Sequence, residues 1–412
     1  MPPGDPRGVL AEALVSWLSL YGVIAALRVY WIQTTRTRLE LCVMFLLECL
    51  GVLLFVRGFY WISGLPVFGI TTYLVAAVIP LAILLFVEAL LRRHFPLGVK
   101  LFVLAGSLLF VVLALAGRLH ASPFWLPAFT FYVFAMQLVL TGAIVFRDRA
   151  DLTPVEDRAA GTIAVAVALI VPFVITDLAR DLGLHVVRVG SVGILMFVHA
   201  TVVASEPRGN ARTVLAGDLA VIGLAALWGT VQAYVIGDLR LATVERGAAL
   251  FACVLLLVMI HSRVRAHRQI ARGPGLVRSI AAADTRSTES FLQVLELLPI
   301  VAGYRLLRAA DLEAYNFWQF PRVFRDRDAW VVTRDQLRRE LRKPPAASAY
   351  HVEQLEYLLE REGMSHAALI QSEPPVLLLV HIPSPGLEQA ATAQLGLIRT
   401  VAEVIERGRV HA

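Results

Sequence analysis

Residues 39–61 read LELCVMFLLECLGVLLFVRGFYW: twenty-three positions carrying three charges, Glu40, Glu48 and Arg57, and no proline. A bilayer core about 30 Å thick needs roughly 20 apolar residues per helix, so this stretch is long enough to cross. Eight further runs of similar character flank it, at 9–27, 66–91, 99–117, 124–146, 161–179, 187–204, 214–236 and 247–262. The sixth and seventh runs are separated only by Arg180-Asp181-Leu182-Gly183, and the ninth is short. The segment before the first run, MPPGDPRG, holds one arginine and one aspartate, and no cleavage site follows. The first run is therefore read as a span and not as a signal peptide.

The whole composition agrees. The 412 residues are 58% hydrophobic and 17% charged, with a mean hydropathy of +0.68. Globular domains average about 45–50% apolar and about 25% charged. A soluble enzyme, a secreted disulfide scaffold and a disordered chain are all excluded. Cys42, Cys49 and Cys253 lie inside apolar runs and read as small hydrophobes, with neither a disulfide framework nor metal-ligand spacing.

Basic residues set the expected orientation. With the N-terminus outside, the inner segments hold Arg28, Arg36, Arg38, Arg92, Arg93, Lys100, Arg147, Arg149, Arg158, Arg208 and Arg212, then five arginines between 263 and 278. The outer segments hold only Arg7, Arg118, Arg180, Arg188, Arg240 and Arg246. Positive residues favour the cytoplasmic side, so nine spans with the C-terminus inside is self-consistent and eight is not. Aromatic belts at Tyr30-Trp31, Phe59-Tyr60-Trp61 and Phe124-Trp125 agree.

Past residue 262 the character changes. RVRAHRQIARGPGLVR (263–278) is a basic juxtamembrane linker extending to about residue 284, broken at Gly273-Pro274-Gly275. Residues 285–412 read as a small cytoplasmic α+β domain. A helix from Ser287 runs through FLQVLELL to Pro299, and Thr333-Arg334-Asp335-Gln336 fits a capping box before a helix over 337–343. Another helix covers 348–362, strands cover 366–371 and 376–382, and a last helix covers 387–407. The strand VLLLV shows no alternation, which predicts burial on both faces.

Helix, apolar hairpin (VLLLVHI) and closing helix (LGLIRTVAEVIE) together are similar to the last third of a GAF-type sensory domain, over residues 333–408. Such domains bind small molecules or dimerise, so the resemblance implies a possible homodimer through this domain, with no binding residue carried over. The membrane half resembles the multi-pass input modules of bacterial sensor kinases, in FRDRADLTP, VPFVITDLARDLGL and VGSVGILMFVHATV. That implies a sensor in the bacterial inner membrane. No phosphoacceptor box, ATP lid or cyclase signature follows, so a chain of this kind relays its state to a cytoplasmic signalling partner.

Ionisable residues inside spans are costly and mark candidate sites. Asp177, Arg180 and Asp181 form the densest outer polar cluster and the best candidate ligand mouth; the ordinary alternative is a polar turn. Glu48 is the deepest acid, a ligand or proton site or else a protonated carboxyl bonded to a neighbouring helix. His199 and Asp218 lie at similar depth and could relay protons. Arg57 is expected to snorkel towards the outer headgroups, and Glu88 to pair with Arg92 one turn away.

No lysine lies within a span, which removes a retinal Schiff base. HExxH, CxxC, Walker A, GxSxG and HxxxxD patterns are missing, as is any basic-aromatic nucleic-acid pattern. Neither metal nor cofactor is expected. The leading expectation is a sensor without its own catalytic output, and the alternative is a secondary transporter with a regulatory tail.

Overall fold

The computed structural model describes residues 6–31, 38–119, 124–148, 152, 154–181, 186–205, 210–271, 280–281, 283–297, 301, 303–313, 315, 317–327, 329–341, 349–382 and 388–410. These fall into two compact units, the first ending at Arg265 and the second comprising chiefly Ala266–Ala412.

The first unit is a helical bundle of α1 (Pro6–Trp31), α2 (Arg38–Ser63), α3 (Pro66–Leu91), α4 (Leu97–Leu115), α5 (Trp125–Val145), α6 (Pro154–Asp181), α7 (Gly190–Ala204), α8 (Ala211–Ile236) and α9 (Leu241–Ala271). Eight of these are long and apolar enough to cross a membrane. The exception is α7, with 15 residues. The apolar run 187–204 begins as irregular chain, and the helix opens only at Gly190. Helix α6 carries Pro172 and α3 carries Pro80, and both helices continue through them.

All of α7 except Ile194 and Ala204 is buried. It packs against α1, α6 and α8, and Phe197 meets Phe86 of α3 edge-on at 6.1 Å. By contrast α4 and α8 expose leucine after leucine, as helices facing acyl chains do. Hydrogen bonds tie the bundle at small residues. The Ser19 hydroxyl lies 2.9 Å from the Ser191 carbonyl, and the Tyr132 hydroxyl donates to the Val103 carbonyl at 2.8 Å. Such bonds add specificity where lipid competes equally well for apolar surface. Cys253 is buried, Cys42 and Cys49 are half-buried, and all three thiols are free.

The second unit is built on a four-stranded antiparallel sheet of β1 (Gly303–Leu307), β2 (Val331–Thr333), β3 (His366–Ser372) and β4 (Pro375–His381), in the order β1-β4-β3-β2. Its helices are α10 (Thr288–Leu292, continued as a 3-10 turn to Leu297), α11 (Phe320–Arg325), α12 (Arg334–Leu341), α13 (Ala349–Arg361) and α14 (Glu388–Val410). Val376, Leu378 and Val380 face one core with Phe291, Leu295 and Ile398. Leu377 and Leu379 face the other with Phe320, Phe324 and Leu355. Strand β4 is thus covered on both sides, which is why its sequence does not alternate. At the start of α12 the Gln336 N–H donates to the Thr333 hydroxyl at 3.2 Å, and the Thr333 N–H to the Gln336 side chain at 3.1 Å. That is the reciprocal capping box, with the helix starting at Arg334 instead of Leu337. The strands β1 and β2 are additions to the sequence reading, and the Gly273-Pro274-Gly275 break lies outside the described residues.

Candidate functional site

The irregular chain that precedes α7 leaves backbone N–H groups without helical partners, and at membrane depth each needs one. Helix α6 supplies two of them. The Val189 N–H donates to the Thr176 hydroxyl at 3.1 Å, and the Gly190 N–H donates to the Asp177 carboxylate at 3.2 Å. Asp177 therefore sits against the positive end of the α7 dipole.

Its other partner comes from α2. The Arg57 guanidinium forms an ion pair with Asp177 and also donates to the Ser191 hydroxyl. The two side chains are 11% and 17% exposed, so this charge pair lies largely inside the bundle. Trp61 is flanked by guanidinium groups, Arg57 at 4.9 Å and Arg188 at 5.2 Å from its ring centre. The Arg57 Nε is buried without a hydrogen-bond partner among the described residues. Arg57 does not snorkel. An acid at matching depth on α6 draws it inward.

This cluster lines one end of a partly open cavity of about 220 Å³ bounded by α2, α3, α5, α6 and α7. A single water needs about 10–15 Å³ of such space, so the volume is far larger than a hydration site. It runs along α5 from Phe129 to Ile144, 15 residues or about 22 Å of helix. The walls are mainly Leu, Ile, Val and Phe. Thr72 and Thr141 also line it, but their hydroxyls are taken by the carbonyls of Phe68 and Gln137. Gln137 lies midway, and its amide has no partner among the described residues. A long, narrow, apolar space with a charged pair at one end and an amide midway suits a chain-like molecule with a polar head.

His199 and Asp218 are brought together. The His199 Nδ1 lies 2.9 Å from the Asp218 carboxylate, and both side chains are fully buried. The His199 Nε2 and the second Asp218 oxygen have no partner among the described residues. The couple links central α7 to α8.

Glu48 belongs to neither site. It lies on the exposed face of α2, with no hydrogen-bond or ion-pair partner among the described residues, so the expected bond to a neighbouring helix is absent there. The side chains of Arg180 and Asp181 lie outside the described residues. Glu88 is held by Lys100 at 2.7 Å and by the Phe95 N–H at 2.7 Å, partners supplied by the α3–α4 turn and the start of α4 and not by Arg92. Among the described residues no group of three or more His, Cys, Asp or Glu could hold a metal ion.

Outside the bundle, the best-defined charged cluster joins α12 to α13. Arg334 and Arg338 reach Glu356 at 2.9 and 2.7 Å. Burial raises the Glu356 carboxyl, but the two guanidinium groups outweigh it and hold the acid below the usual carboxylate range.

Compared with protein-family models, curated proteins and solved structures, the chain finds no match in any of the three.

Proposed function

We propose that this chain is a bacterial inner-membrane sensor that reads an amphiphilic, mainly apolar molecule within its bundle and passes its state to a cytoplasmic partner. It has no catalytic output of its own. The observation that carries this reading is the apolar cavity with the Arg57–Asp177 pair in its lining at one end. In the proposed topology, N-terminus outside and C-terminus inside, that pair marks the outer mouth. A ligand head reaching Arg57 competes with Asp177. Asp177 also holds the first N–H of α7, so ligand binding bears directly on how the central helix is seated. Signalling requires that the ligand bind two arrangements of the bundle with different affinity, and an exchange of partners at Arg57 provides such a difference. The second unit, with the resemblance of its hairpin and closing helix to GAF domains, serves as the relay.

The same cavity is bounded by α3 and α6, which carry the interior prolines Pro80 and Pro172, and this supports a secondary transporter as the second reading. The deciding experiment is native mass spectrometry of the full chain released from lipid nanodiscs, together with flux measurements in vesicles. A sensor retains an amphiphile, loses it in an Ala76→Phe variant that fills the cavity, and moves none across the bilayer. Flux of the retained molecule that disappears in Asp177→Asn transfers the assignment to transport, and an empty cavity in the native chain removes both readings.

A further inference from the structure

Most of α2 is covered by neighbouring helices, and what remains exposed is a single line of side chains. Leu41, Phe45, Glu48, Val52, Phe55 and Phe59 follow at alternating intervals of four and three. The apolar members are 36–51% exposed. Alternating threes and fours make a 3.5-residue period, the repeat of a helix wound against another helix. The exposed face of α4 follows the same alternation, so the period fits a helical seam without requiring one, and the acid within the stripe is what sets α2 apart.

Glu48 sits at the middle of the stripe, ten residues after Arg38 and fifteen before Ser63, about 15 and 22 Å along the axis. A carboxyl at that depth needs a partner, and acyl chains offer none. A protonated carboxyl carries both a donor and an acceptor, so its natural complement is a second carboxyl. A two-fold axis through Glu48 places it against its own copy and sets each phenylalanine of the stripe into the opposite seam. An ionised Glu48 would instead require a basic residue from another protein.

We infer that α2 is a homodimer seam: two copies of this chain pack α2 against α2, with Glu48 hydrogen-bonded to the same residue of the second copy. This surface is separate from the cavity and stands whether or not the cavity binds a ligand.

The test places a photocrosslinking amino acid at Leu41, Phe45, Val52 or Phe55 of the full chain in membranes. Leu104 and Leu108 of α4, 51% and 62% exposed, serve as controls. Crosslinked dimers are expected from the four α2 positions and not from α4. Association of the fluorescently labelled full chain in vesicles should weaken about 3- to 30-fold in Glu48→Leu, the span of interhelical polar bonds in bilayers. Glu48→Gln, whose amide again both donates and accepts, should dimerise nearly as the native chain does. The crosslinking pattern is read with Glu48 intact, so it stands even if Glu48→Leu misfolds. Equal crosslinking from α4, a monomer at every protein-to-lipid ratio, or capture of a different polypeptide at the α2 positions would each overturn the inference.

Discussion

Removing the charge on Asp177 is the most informative single change. Breaking a buried ion pair costs about 3–5 kcal/mol, because the surviving charge is left without compensation. Arg57 and Asp177 keep 11% and 17% of their exposure, and Arg57 retains Ser191 and Trp61, so the cost falls at or just below the bottom of that range. Asp177→Asn should destabilise the bundle by about 2–3 kcal/mol. Arg57→Met should cost about 2–3 kcal/mol as well, since Asp177 keeps only the Gly190 N–H. If the two charges act as one unit, the double variant should cost no more than either single change, a coupling of about 2–3 kcal/mol. The assay is unfolding of the full chain in nanodiscs, for the four members of the cycle. Membrane insertion should be unchanged throughout, since each substitution removes an intramembrane charge. Costs that add to within about 0.5 kcal/mol would show that the pair does not lock the bundle, and the argument for a ligand-sensitive mouth would fail with it.

Three further outcomes follow from the geometry. In Gly190→Ala the new Cβ would lie 2.6 Å from the Asp177 Cγ, so the carboxylate must move; the variant should lose stability and amphiphile retention as Asp177→Asn does, and native behaviour would mean the α7 N-terminus is not tied to the site. Reporter fusions after Leu65, Arg118 and Gly183 should read outside and fusions after Arg36, Lys100, Asp151 and Gly209 inside; a cytoplasmic signal from Gly183 would sink the nine-span topology. The Glu356 carboxyl is held below its unfolded value, so its contribution is fully present above about pH 4.3 and is lost as pH falls through the folded value. Glu356→Gln should flatten that acid limb and cost about 1–3 kcal/mol at neutral pH, read as hydrogen exchange of β3 and β4; an unchanged acid limb would show that Glu356 is not the group responsible.

The apolar helices were legible because the 3.4-fold excess of apolar over charged residues is concentrated in runs that match bilayer thickness. The true start of α7 was not, because hydropathy reports content and not where helix begins: Val187 and Val189 are apolar yet irregular. Asp177 stood out as an intramembrane acid. Its partner Arg57 lies 120 residues away, and no local pattern announces a pairing made by tertiary contact. Glu48 was visible by depth but not by face, since a helix apolar all round does not show which side its neighbours cover. In the second unit, VVT and GYRLL are too short for a strand pattern, and they emerge only as edge partners of β3 and β4.

The brevity of α7 has an electrical consequence. Fifteen helical residues measure about 22 Å, against about 30 Å of hydrocarbon. Because the helix is enclosed by protein, the bilayer need not thin to fit it. The Arg57–Asp177 pair stands at the N-terminal edge of this helix, so a charge seated there would lie part of the way into the transmembrane field of the proposed topology. Carrying one elementary charge across the full potential changes its energy by about 2.3 kcal/mol per 100 mV, so a charged head drawn part of the way inward feels a share of that. Occupancy by an ionised amphiphile would rise or fall with membrane potential, while a neutral one would be indifferent to it.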